Sequence, residues 1–98
     1  MITLTPAQRQ YLKGLAHPLS PVVIIGEKGL TEAVIKEIDR ALAAHELIKI
    51  KAGSDEKETR ARWQAEICST LDATPVQLIG KILVIYRPAD KPAIQLPR

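Results

Sequence analysis

A chain of 98 residues has room for one domain and one self-sufficient fold, not two. Aromatic residues make up 3% of it, with no Phe, so the core must be aliphatic and a platform of stacked rings for splayed bases is disfavoured. A formal charge of +3 permits an anionic partner without demanding one, and the lone Cys68 rules out an intramolecular disulfide and suits a reducing compartment.

The opening "MITLTPAQRQ" lacks the basic-then-apolar layout of a secretory signal. Thr5 and Gln8 form a capping box with Pro6 at the first helical position, which predicts a helix from about Pro6 to Ala16. Tyr11, Leu12 and Leu15 share one of its faces. Pro18 and Pro21 end it and leave "HPLSP" as a stiff loop.

"VVII" (22–25) is an unbroken β-branched run and is expected to be an interior strand, covered on both faces or nearly so. The second helix is the clearest element. Val34, Ile35, Ile38, Ala41, Leu42 and His45 fall on one stripe, and Glu32 and Lys36 form an (i, i+4) pair on the other side. "LIKIK" (47–51) alternates, with Ile48 and Ile50 on a buried face and Leu47, Lys49 and Lys51 on a cationic one.

A third helix is expected from Asp55 to Leu71, capped by Ser54 or Asp55, with Trp63, Ile67, Cys68 and Leu71 on its apolar stripe. "PVQLIGKILVIYRP" reads as a hairpin turning at Gly80-Lys81. In that register Val76, Leu78, Leu83 and Ile85 form the core face; Gln77, Ile79, Ile82, Val84 and Tyr86 form the other. The tail 88–98 carries Pro92 and Pro97 beyond Pro88 at the hairpin exit and can add at most a short edge strand. The apolar runs "VVII" and "ILVIY" are far too short to span a bilayer, so the expectation is a cytoplasmic protein with no membrane partner.

The predicted fold is α/β. It is a compact two-layer sandwich in the order α-β-α-β-α-β-β, with helices covering the core face of a mixed four-stranded sheet.

"GEKG" (26–29) lies at the carboxyl end of a strand and just before a helix, where ligands of β-α-β units gather. The first N–H groups of that helix carry partial positive charge, and Lys28 adds a full one. Gly26 and Gly29 let another backbone come close. Together these describe a seat for a phosphate. The spacing is neither a P-loop nor a dinucleotide fingerprint, which leaves a nucleotide-hydrolysing enzyme with little support. KH domains clamp RNA backbone with a G-x-x-G loop, a mechanical precedent. Glu27 must turn its carboxylate outward to avoid repelling the phosphates.

"LKGLAH", "GEKGLT", "HELIKIK" and "IGKILVIYRP", in that order, resemble the CRM domain family, named for chloroplast RNA splicing and ribosome maturation. The resemblance is strongest to its single-domain bacterial members of the YhbY type, and it spans nearly all of residues 1–98. It implies one CRM-like RNA-binding domain, with a β-α-β-α-β-β core after an N-terminal helix, similar to the C-terminal domain of translation initiation factor three. It also implies RNA binding and, for bacterial members, association with precursors of the large ribosomal subunit. Its G-x-x-G loop, implicated in RNA contact, corresponds to Gly26, Glu27, Lys28 and Gly29.

Other cations could extend such a contact. Lys13 and His17, near the end of the first helix, would do so if that helix lies beside the loop; otherwise Lys13 is a solvated helix residue and His17 a cap. Lys49 and Lys51 share a strand face, Lys81 sits at the hairpin tip and Arg87 at its exit. His45 reads as a hydrogen-bonded core or capping residue, Cys68 as a buried structural thiol, and Trp63 as core. Two separated His and one Cys assemble no zinc set, and no Ser-His-Asp arrangement can be argued, so no metal, cofactor or small-molecule substrate is expected.

The function that follows is a non-catalytic RNA-binding protein acting on rRNA in large-subunit precursors. The alternative is a protein-interaction module docking on a ribosomal protein or assembly factor through an apolar sheet face of Ile79, Ile82 and Val84.

Overall fold

The computed structural model describes residues 2–98. Its elements are α1 (Pro6–Ala16), β1 (Val23–Ile25), α2 (Glu32–His45), β2 (Leu47–Ala52), α3 (Lys57–Leu71), β3 (Thr74–Ile79) and β4 (Ile82–Tyr86), in the expected order. Local chemistry sets the helix starts. At α1 the Thr5 hydroxyl accepts from the Gln8 N–H, and the Gln8 side chain accepts from the Thr5 N–H. At α2 the Thr31 hydroxyl accepts from the Val34 N–H. The third helix departs from expectation by starting at Lys57 with Glu56 as its cap residue. Ser54 turns its hydroxyl onto the Glu56 N–H, a local bond that competes with helix, and the Asp55 carboxylate is taken by Lys81.

The four-stranded sheet has the order β1-β2-β4-β3, with β1 parallel to β2 and the other neighbours antiparallel. Gly80 (φ 54°) and Lys81 make the two-residue hairpin turn. β1 is not the interior strand that its composition suggests. It is an edge strand with a single neighbour, and Ile24 is 66% exposed. A β-branched run reports a preference for extended backbone; it does not say how many faces will be covered.

Two apolar clusters lie on opposite faces of this sheet. On one, Ile38 and Leu42 of α2 and Ile67 and Cys68 of α3 pack on Val23, Ile25, Ile48, Ile50, Leu83 and Ile85. On the other, Leu12 and Ala16 of α1 pack on Leu47, Val84 and Tyr86, joined by Ile94 and Leu96 of the tail. The helices therefore do not all cover one face, because α1 crosses behind the sheet. Val76 also changes sides. The register jumps from Pro75↔Ile85 to Gln77↔Val84, and the bulge at Val76 turns that side chain toward α1.

The tail adds no strand. It is held instead by Glu46, whose carboxylate accepts from the N–H groups of Ala89, Ala93 and Ile94. His45 is exposed at the end of α2 rather than in a core.

Candidate nucleic-acid interface

Strand direction gathers three connections at one end of the sheet. β1 and β2 end level with each other (Ile25↔Ala52), and β4 begins beside the end of β2 (Lys51↔Ile82). The Gly26–Gly29 turn, the link after Ala52 and the Gly80-Lys81 tip are therefore neighbours. Backbone bonds tie them: the Gly53 N–H donates to the Ile25 carbonyl at 2.8 Å, and the Ala52 N–H to the Lys81 carbonyl at 2.7 Å.

Within the turn, the Gly29 N–H donates to the Gly26 carbonyl and the Thr31 N–H to the Gly29 carbonyl, each at 3.0 Å. Gly29 has φ 71°, a left-handed conformation that a side chain would strain. Its underside rests on the indole of Trp63, since a Cβ there would lie 3.4 Å from Trp63 Cζ2. Trp63 is thus half core and half shelf for the turn. Gly26, Glu27 and Lys28 are exposed, and a Cβ on Gly26 would meet nothing within 4 Å. Helix geometry leaves the Glu32 and Ala33 N–H groups without intrahelical partners just beyond.

Among the described residues, Lys28 has no ion-pair partner. Lys51 is exposed on the α1 side of the sheet, in register with Ile24. Lys49, two residues back on the same face, donates from Nζ to the His17 carbonyl at 3.1 Å. His17 caps α1, and Lys13 lies in its last turn. The structure thus brings Lys13, His17, Lys49 and Lys51 to one face, which leads toward the glycine turn. No Asp or Glu precedes Glu27 in the chain, and β2 has none. The acidic residues Glu32, Glu37, Asp39, Glu58 and Glu66 ride on α2 and α3, across the sheet.

Lys81 reaches this end but is engaged. Its ammonium lies 2.6 Å from Asp55 Oδ1, and that hydrogen bond and charge hold the Asp55 carboxyl below its usual range. Arg87 does not join the cluster. It sits at the opposite end of the sheet, where its guanidinium donates to Asp39 Oδ1 at 2.7 Å, the Leu71 carbonyl at 3.1 Å and the Asp39 carbonyl at 3.2 Å. It ties α2 to the end of α3.

The apolar docking face expected on Ile79, Ile82 and Val84 does not form. Val84 is fully buried in the cluster beneath α1 and Ile82 is half-buried, which leaves Ile79 exposed by itself. Cys68 is buried, and burial pushes its thiol up to about 11, so it holds little reactive thiolate at neutral pH.

Two residues that matter to the turn escaped the sequence reading, Gly53 and Trp63 in its role as shelf. Only the small residues of "AGS" at the end of β2 hinted at a close approach. Among the described residues, no group of three or more His, Cys, Asp and Glu is placed to hold a metal ion, and no helix is long and apolar enough to cross a membrane.

Fold and site together define a small mixed α/β protein with an open glycine turn beside a carboxylate-poor, lysine-bearing face. The chain belongs to the CRS1 / YhbY (CRM) domain family, whose model matches residues 4–87. It is 51% identical over 98 residues to the "RNA-binding protein" of Haemophilus influenzae, covering 100% of this chain and 99% of that one. It is 32% identical over 95 residues to the Bacillus subtilis protein named "Probable RNA-binding protein YqeI", covering 96% and 99% of the two chains. The solution structure of a Staphylococcus aureus protein superposes with a TM-score of 0.85 at 34% identity, over 97% of this chain and 100% of that one.

Proposed function

We propose that residues 1–98 form one non-catalytic, cytoplasmic RNA-binding domain that holds structured rRNA in precursors of the large ribosomal subunit. The Gly26–Gly29 turn receives sugar-phosphate backbone, with Lys28 and the first amides of α2 as donors. Lys51, Lys49, His17 and Lys13 continue the contact along the α1 side of the sheet. Lys81 adds to it when released from Asp55, and Arg87 takes no part.

The observation that carries this reading is the uncovered turn, with a Lys28 that has no ion-pair partner among the described residues, beside a face poor in carboxylates. The names of the relatives favour RNA as the polymer. With few aromatics for reading bases, the preference should be for RNA shape over sequence.

Binding to a structured RNA should weaken with salt. If about four phosphates are neutralised, log K falls against log[salt] with a slope of roughly −3. Lys28→Glu should weaken binding to all structured RNAs alike, flatten the slope and leave the circular dichroism spectrum unchanged. An unaltered affinity and slope would remove the turn from the mechanism. Co-sedimentation with large-subunit precursors should be lost at high salt and after nuclease. Persistence through both would favour attachment to protein.

A further inference from the structure

At the far end of the cationic face from the glycine turn, a hollow of about 500 Å³ opens between the last turn of α1, the 19–22 segment, the start of β2 and the tail. That volume lies within the range of pockets that take small organic groups. Its walls are aliphatic, formed by Leu15, Leu19, Val22, Leu47 and Ile94. Leu15, Leu19 and Val22 are 37%, 41% and 47% exposed, a concentration of large apolar side chains left in contact with water.

The rim is basic. Lys49 and His45 border the hollow, and the Lys49 ammonium donates to the His17 carbonyl at its edge. No carboxylate is among the lining residues. The nearest in sequence, Glu46, is 5% exposed and committed to three N–H groups of the tail. An apolar cleft with a cationic edge and no carboxylate disfavours a cationic ligand. It suits a flat, weakly polar ring tethered to a phosphate.

Lys49 belongs to both the hollow and the proposed RNA path. Lys51 is two residues further along the same strand face, about 7 Å at the rise of a strand. The Gly26–Gly29 turn begins one register step beyond, where Ile25 pairs with Ala52. A polynucleotide held at the turn and laid along Lys51 and Lys49 would reach the hollow with its next bases.

We infer that this hollow receives one unpaired base of the bound RNA, buried among aliphatic side chains, while Lys49 holds the adjoining phosphate. The inference rests on the RNA-binding reading above and adds a preference for RNA with an extruded nucleotide. An apolar peptide is the competing occupant. The basic rim and its continuity with the lysine path favour the nucleotide.

The test uses three RNA hairpins that share one stem: fully paired, with a single bulged adenosine, and with an abasic site at the bulge. The wild-type protein should bind the bulged hairpin roughly fivefold to tenfold more tightly than the paired one, a modest gain from burying one base against aliphatic side chains. The abasic hairpin should bind like the paired one. The double variant Leu19→Asn, Val22→Asn should lose the preference but keep wild-type affinity and salt slope for the paired hairpin. Both side chains are more than a third exposed, so its melting temperature should stay close to wild type.

A preference that survives in the variant, or an abasic bulge bound as tightly as the adenosine, overturns the inference. So does a variant with unchanged RNA preference that no longer captures an apolar peptide bound by the wild type. Binding of the paired hairpin by the wild type separates the two levels. If it persists without any bulge preference, only the base pocket falls; if no hairpin binds, the RNA-binding reading falls with it.

Discussion

A methyl group added to Gly26 would meet nothing, whereas on Gly53 it would collide with the Ile25 carbonyl that the Gly53 N–H itself approaches. Gly26→Ala should therefore shift stability by no more than about 0.5 kcal/mol. Gly53→Ala should cost about 1–3 kcal/mol as the strand end is pushed apart, a fall in melting temperature of roughly 5–20 °C for a domain of this length. The pair separates fold from function. If a phosphate comes close to the turn, Gly26→Ala weakens RNA binding at unchanged melting temperature; full affinity would show that nothing comes near that Cα. The G-x-x-G spacing was visible in the sequence because turn glycines announce themselves. The need for Gly53 was not, because it arises from a backbone contact with a strand distant in the chain.

Cys68 gives a second measurement at the scale of one side chain. Burial raises its thiol from an ordinary 9.0 to about 11. The folded protein then keeps a proton that the unfolded chain gives up, so this contribution is complete below pH 9 and is lost as pH rises toward 11. The loss should approach roughly 2–3 kcal/mol. Tyr86, raised by burial and then by the charge of Glu46, adds a loss of the same sign above its ordinary 10.0. Urea midpoints at pH 8 and pH 10.5 should show a smaller alkaline drop for Cys68→Ala than for wild type, although the variant starts lower. Equal drops would mean that the thiol is not shielded.

Elements were legible where their instructions are local. The Thr5–Gln8 capping box, the Gly80-Lys81 turn and the stripe of α2 each involve residues a few positions apart, and each formed as read save for His45, the exposed last residue of the stripe. The misreadings concern which face an element meets. "VVII" became an edge strand, α1 crossed to the back of the sheet, and the bulge at Val76 reversed one side chain. None of these is encoded in a short window.

The tail is the sharpest case. Glu46 looks like an ordinary helix-end residue, yet it takes φ 63° and buries a carboxylate to pin residues 89–94. Glu46→Ala should cost about 3 kcal/mol, since hydrogen bonds to a charged group are the stronger kind. It should also speed hydrogen exchange at the Ala93 and Ile94 amides. Glu46→Gly relieves the backbone and should still lose that protection. If glycine restores it, the conformation and not the carboxylate holds the tail.

Over the whole molecule, a charge of only +3 conceals an uneven placement of the carboxylates across the sheet. Lys13, Lys49 and Lys51 lie on the α1 side, and neither α1 nor β2 holds a carboxylate, whereas α2 and α3 mix carboxylates with Lys36, Arg40, Lys57, Arg60 and Arg62; the Asp55–Lys81 pair sits at the boundary, beside the glycine turn. Screening at physiological salt acts over about 8 Å, so an RNA feels the face that it touches more than the net charge. Asp55→Asn frees the Lys81 ammonium on the contact side. It should tighten binding to a structured RNA and steepen the salt slope by about 0.7–0.9, the increment for one added phosphate contact. Removing the freed cation as well, in Asp55→Asn with Lys81→Ala, should return the slope to wild type. Glu66→Gln adds the same formal charge at an exposed position on α3, across the sheet, and should leave affinity and slope nearly unchanged. If Asp55→Asn and Glu66→Gln strengthen binding equally, association follows total charge and the α1-side face has no privileged role. If only Asp55→Asn does so, the RNA lies where the turn, Lys51 and the hairpin tip converge.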